Sequence, residues 1–143
     1  MSSELTIAGE LSEVDRVRRF LRDVLQERIL SEEDFFKVEL AVVEACVNII
    51  LYAYPGKDGN LRIRVSGNED RVVIEIRDSG IPFDPREVPE PEIDQMVETG
   101  KTGGLGIYLS RKLMDGFDYR REGDENVLTL TKTMRQSGVL PKS

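Results

Sequence analysis

The chain has 143 residues, 33% of them charged and 39% hydrophobic, which suits one soluble domain with a single sizeable core. A net charge of −7 argues against direct binding to nucleic acid or to an anionic membrane surface. Histidine is absent, which removes Ser-His-Asp and Cys-His nucleophilic machinery, His-ligated zinc and any phosphohistidine acceptor on this chain. Acid–base chemistry must then come from carboxylates, lysine or tyrosine. The single cysteine, Cys46, cannot pair internally and reads as a small core residue. With no N-terminal apolar segment and no run of membrane length, a cytoplasmic protein is expected.

Glu4 to Ala8 reads as a short edge strand. Ser12 and Asp15 form a capping-box-like start, and Val14, Val17, Phe20, Leu21, Val24 and Leu25 follow at helical spacing. Arg16, Arg18, Arg19 and Arg22 cover much of the opposite side, a solvated basic face. Ser31 and Asp34 repeat the start signal and open a second helix expected to run to about Ala53.

That second helix organises the chain. From Val38 to Leu51 it is apolar almost all the way round, which on a helix means burial. Glu39, Glu44 and Asn48 alone interrupt it, and Glu44 and Asn48, four residues apart, share one face a turn from each other. A carboxylate in such a segment is costly unless paired. Either the two groups satisfy backbone or an arginine nearby, or they form a site.

Pro55-Gly56 and Asp58-Gly59 turn the chain. Leu61, Ile63 and Val65 then alternate with polar residues, as do Val72, Ile74 and Ile76 after a turn at Gly67 to Asp70, giving a hairpin of two half-buried strands. Asp78 shares the parity of Val72, Ile74 and Ile76, so it should face the core. An inward carboxylate at a strand end suits a ligand's amine, although Asp-Ser-Gly is also common turn chemistry.

Asp84 to Thr102 is rich in proline and acid, with a helical patch only near Ile93 to Val97, and reads as a lid or linker. Gly103-Gly104-Leu105-Gly106 leads into a short amphipathic helix that Gly116 ends, and two strands, Phe117 to Arg121 and Val127 to Met134, flank a Gly123-Asp124 turn. Residues 1–136 form one domain in this reading, and 137–143 a flexible tail.

Gly100-Lys101-Thr102 is not a P-loop, because Gln95 stands where the first glycine belongs and Pro89 and Pro91 spoil the strand. Gly104-x-Gly106 is not a dinucleotide fingerprint, since the third glycine is Leu109 and no strand comes directly before. What remains is a glycine-rich helix N-terminus, where free amides and the dipole favour phosphate.

Glu44-x-x-x-Asn48 on a helix, Asp78-x-Gly80 at a strand end and Gly104-x-Gly106 at a helix start occur in that order. The arrangement resembles the Bergerat-type (GHKL) ATPases. EACVN, DSGIPFD, GGLGIYLSRKLMD and ENVLTLTK are most similar to bacterial anti-sigma-factor serine/threonine kinases, over about Leu5 to Met134.

The resemblance implies an α+β fold, a two-layer sandwich with a mixed sheet, helices on one face and ATP between the layers. It implies Glu44 as general base, Asn48 as the Mg²⁺ ligand and Asp78 as acceptor from the adenine amine, with Gly80 letting the backbone pass close to the base. Gly103, Gly104, Leu105 and Gly106 would line the phosphates, Lys101 or Thr102 would reach the terminal phosphate, and Asn126 would take the place of an adenine-contacting threonine. Tyr52 stands where relatives often carry histidine.

The implied function is an ATP-dependent serine/threonine kinase acting as an anti-sigma factor. Its partners would be an anti-anti-sigma (STAS-domain) protein, a sigma factor and, as in many relatives, a second copy of the chain. A nucleotide-binding partner-switch module without kinase activity is the alternative.

Overall fold

In a computed structural model of the chain, residues 2–26, 30–53, 59–87 and 105–133 are described. Five strands, β1 (Ser2–Ala8), β2 (Asn60–Gly67), β3 (Arg71–Asp78), β4 (Gly116–Glu122) and β5 (Glu125–Thr133), form one sheet in the order β1-β2-β3-β5-β4. Three helices, α1 (Val14–Leu25), α2 (Glu32–Tyr52) and α3 (Leu105–Leu113), complete the described elements.

All four strand pairings are antiparallel, which corrects the expectation of a mixed sheet. The reason lies in the order of the strands. β3 and β4 point the same way, but β5 returns through the Gly123 turn and inserts between them, so no parallel ladder forms. Gly123 supports that turn with φ 61°, a conformation that costs glycine nothing sterically.

The strand alternation is as the sequence requires. Leu61, Ile63, Val65, Val72, Ile74, Ile76, Leu128 and Leu130 are buried on one face, and α1 and α2 cover it. α1 contributes the stripe Val14, Val17, Leu21 and Leu25. Burying each such side chain stabilises by roughly 1.5–3 kcal/mol relative to leaving it in water. Asp78 and Asn126, at the same parity, are carried into this interior at 2% and 4% exposure.

The helix starts differ. Ser31 caps α2 by accepting from Asp34 N at 3.0 Å, as expected. Ser12 does not cap α1, because a 3-10 turn, Leu11–Glu13, absorbs it. The Glu13 carboxylate accepts from Ala8 N (3.4 Å) and Arg16 (3.0 Å), tying the helix entry to the end of β1. Gly116 opens β4 and does not end α3, whose last residue is Leu113.

The other face of the sheet carries no helix among the described residues. There Arg62, Arg77 and Arg120 interleave with Glu75, Glu122 and Glu125 in ion pairs of 2.5–3.7 Å. Val127 points to this side yet is fully buried, flanked in register by Arg77 and Arg120, whose stems cover it. The same carboxylates push the Arg77 guanidinium further above its ordinary range. No helix among the described residues is long and apolar enough to cross a membrane.

Candidate functional site

α2 brings Glu44 and Asn48 to its surface toward α3. Asn48 is 7% exposed, and its Nδ2 donates to the Glu44 backbone oxygen at 2.8 Å. That bond satisfies the amide's donor end locally and leaves Oδ1 as the side chain's hard oxygen. Among the described residues no cluster of three carboxylate, cysteine or histidine side chains gathers to hold a metal. A Mg²⁺ ion bound through nucleotide phosphates requires only one or two protein oxygens, so a single amide fits such an ion and a protein cage is not needed.

α3 crosses this face with its first turn. A Cβ on Gly106 would fall 2.5 Å from Glu44 Oε2 and 2.8 Å from Asn48 Nδ2. The glycine therefore lets the helix N-terminus, whose first amides have no intrahelical partner, lie directly over the acid and the amide. Farther along, Ser110 is fully buried and its Oγ donates to Ala41 O at 2.8 Å, locking the two helices in register. Lys132, 8% exposed, donates to Leu113 O at 3.1 Å and places its charge at the negative end of the α3 dipole.

The second half of the site grows from the ends of β3 and β5, where Asp78 and Asn126 are cross-strand partners. Asp78 Oδ1 accepts from Gly80 N (2.9 Å) and from Asn126 Nδ2 (3.0 Å). Asn126 Nδ2 also donates to Ile81 O at 2.8 Å. Its Oδ1 accepts from Tyr119 Oη (2.5 Å), Arg121 Nη1 (3.1 Å) and Phe83 N (3.3 Å). Arg121 Nη1 further donates to Gly80 O at 2.9 Å. Burial lifts the Tyr119 phenol above its ordinary value, so it stays a donor.

The two halves meet at the end of α2. Ile81 N donates to Ala53 O at 3.1 Å, and a Cβ on Gly80 would lie 2.5 Å from that oxygen. Here the glycine is required by the helix end that its backbone approaches. Tyr52, 44% exposed, packs on Phe83 with ring centroids 5.7 Å apart. Beyond Phe83, Arg86 grips the Asp84 carboxylate and holds it well below the usual range, and the guanidinium lies 5.9 Å over the Tyr119 ring.

The structure thus unites Glu44, Asn48 and Gly106 in one group and Asp78, Gly80 and Asn126 in another. Leu105 is the first residue of α3. Lys101, Thr102, Gly103 and Gly104, with most of the expected lid, lie outside the described residues. Tyr119 and Arg121 were missed. The parity that singled out Asp78 also puts Phe117, Tyr119 and Arg121 inward on β4, so a polar residue at inward parity was the available signal.

Comparison with known proteins gives the family of the chain. Residues 7–132 match the histidine kinase-like ATPase domain family. The serine-protein kinase RsbW of Bacillus cereus (strain ATCC 10987 / NRS 248) is 30% identical over 140 residues, covering 95% of this chain and 87% of that protein. RsbW of Bacillus pumilus (strain SAFR-032) is 31% identical over 147 aligned residues, covering 95% and 88%. Among solved structures, the histidine kinase domain of the Erythrobacter litoralis EL346 blue-light activated histidine kinase shares the fold, with a TM-score of 0.54 at 16% identity over 87% of this chain and 60% of that one. A half-buried acid and a buried amide under a glycine helix start, a carboxylate at the end of a central strand and these matches together place the chain in the histidine kinase-like (GHKL) ATPase family, among the relatives of the RsbW serine-protein kinases.

Proposed function

We propose that the protein is an ATP-dependent serine/threonine protein kinase acting as an anti-sigma factor. Its phosphoacceptor would be a serine or threonine hydroxyl on a STAS-type anti-anti-sigma protein, and a sigma factor its second partner. The observation that carries this reading is the Glu44 carboxylate, half-buried one turn from Asn48 and directly beneath Gly106. A nucleotide-binding module without chemistry has no use for a base there.

In this reading Asp78 receives the adenine amine, and the α3 amides beside Gly106 receive phosphate oxygens. Asn48 Oδ1 holds Mg²⁺, which neutralises charge on the phosphates when bound. Glu44 accepts the acceptor's hydroxyl proton as its oxygen bonds to the γ-phosphorus. The bond from that phosphorus to the β–γ bridging oxygen breaks, and ADP leaves with the electron pair.

The test is incubation of the chain with Mg²⁺, ATP and a candidate STAS protein, followed by mass spectrometry of that protein. One added phosphate, lost with Glu44→Gln while ATP still binds, is the expected result. Transfer that survives Glu44→Gln would remove the proposed base. ATP binding with no phosphate on any candidate favours the partner-switch module.

A further inference from the structure

Asn126 takes part in five hydrogen bonds with described residues, and they have a direction. Three donors converge on its Oδ1: Tyr119 Oη, Arg121 Nη1 and Phe83 N. Rotating the amide by a half turn would set its NH₂ against Arg121 Nη1 and Phe83 N, neither of which can accept. The donor end is therefore obliged to face Asp78 Oδ1 and Ile81 O, at 3.0 Å and 2.8 Å. Asp78 Oδ1 then accepts two N–H bonds, from Asn126 and from Gly80. A carboxylate held this way acts as an acceptor and not as a donor.

We propose that Asn126, oriented by Tyr119 and Arg121, is a positioning residue that fixes Asp78 as a hydrogen-bond acceptor and so makes the pocket select a 6-amino purine over a 6-oxo purine. The inference rests on the nucleotide-binding reading above. It concerns side chains that touch Asp78 and each other, and it assigns Asn126 no contact with the base. Selection arises because a 6-oxo group presents lone pairs to a carboxylate that has no proton to offer. A polar site left with two acceptors facing each other discriminates strongly.

Replacing Asn126 by aspartate inverts the arrangement without changing the shape. Tyr119, Arg121 and Phe83 N still donate to one carboxylate oxygen. The other oxygen now meets Asp78 Oδ1 where the wild type has 3.0 Å between partners. Two carboxylates so close share one proton, so Asp78 no longer faces the base with a full negative charge and loses its preference for a donor. Tyr119→Phe is the milder variant, removing one of the three donors that fix the amide.

The experiment measures the Kd of ATP and of inosine triphosphate for wild type, Asn126→Asp and Tyr119→Phe, with a thermal melt of each protein. Inosine triphosphate differs from ATP in its 6-oxo group and in the proton on N1 that accompanies it. The wild type should prefer ATP by about tenfold or more. Asn126→Asp should bring that ratio close to one, and Tyr119→Phe should lower it by a few-fold. Variants that weaken both nucleotides equally, leaving the ratio as in wild type, would overturn the proposal while leaving the nucleotide site intact. Should Asn126→Asp not fold or not bind, an unchanged ratio in Tyr119→Phe overturns it alone. A wild type that binds both nucleotides equally overturns it as well. A wild type that binds neither removes the proposed function together with it.

Discussion

The carboxylate of Glu44 occupies the space a side chain at position 106 would need, with Oε2 2.5 Å from where a Cβ on Gly106 would stand. The obstructing atoms, Glu44 Oε2 and Asn48 Nδ2 at 2.8 Å, are side-chain tips, so Gly106→Ala can be accommodated by turning both side chains away. The variant should fold with a melting temperature within a few degrees of wild type. Phosphotransfer should fall on the order of 10²-fold or more as the base leaves its place, because a misplacement of about 1 Å is enough for such a loss. Single-turnover transfer beside a melting curve separates the two effects. A variant with full transfer would mean that Glu44 has no fixed position in the reaction.

Gly80 gives the opposite outcome for the same substitution. The atom that its Cβ would meet at 2.5 Å is the backbone oxygen of Ala53, and the Ala53 Cβ is 2.9 Å away. Neither can move without unseating the end of α2. Gly80→Ala should cost about 1–3 kcal/mol and lower the melting temperature by several degrees. Differential scanning calorimetry of the two alanine variants side by side tests the contrast, and equal melting temperatures would contradict it.

Asn48→Ala removes the amide oxygen assigned to the metal and the 2.8 Å bond to Glu44 O. ATP affinity measured with Mg²⁺ should drop on the order of 10- to 100-fold, and the difference between titrations with and without Mg²⁺ should largely vanish. Isothermal titration calorimetry reads both quantities. A Mg²⁺ dependence that survives would assign the metal to another residue.

Cys46 lies fully buried inside α2, and burial pushes its thiol up to about 12 from an ordinary 9.0. Below pH 9 the thiol is protonated in both folded and unfolded chains and contributes no pH dependence. Between pH 9 and 12 the unfolded chain releases a proton that the folded one keeps, so stability should fall by roughly 1 kcal/mol per pH unit from this group. Urea titrations across that range should show a shallower alkaline decline for Cys46→Ala. Native protein should also resist a thiol reagent at pH 8 that labels it readily in urea.

Much of the site was legible because it rests on periodicity. Glu44 and Asn48 share a helical face and Asp78 follows the inward parity of its strand, so periodicity singled these three out, while Asn126 and every role came from the resemblance to the GHKL ATPases. The partners that fix them were harder to read. Tyr119 and Arg121 reach Asn126 across the β4–β5 hairpin, and the pairing that no local pattern encodes is that of β5 with β3, which sets Asn126 beside Asp78. The insertion of β5 between β3 and β4 turned the expected mixed sheet into an antiparallel one. Gly80 was legible as a glycine of the site, but its contact with Ala53 depends on where α2 ends against the loop after β3.

The face of the sheet that carries no helix among the described residues has a consequence for the protein in a crowded solution. A bare stripe around Val127 would be adhesive toward any other flat β surface. Under the stems of Arg77 and Arg120, with carboxylates between the guanidinium groups, it becomes a wettable mosaic of both signs. A second copy sliding over that mosaic meets like charges as often as opposite ones, so stacking in many registers is discouraged. Among the described residues, then, the back of the sheet is covered by its own side chains.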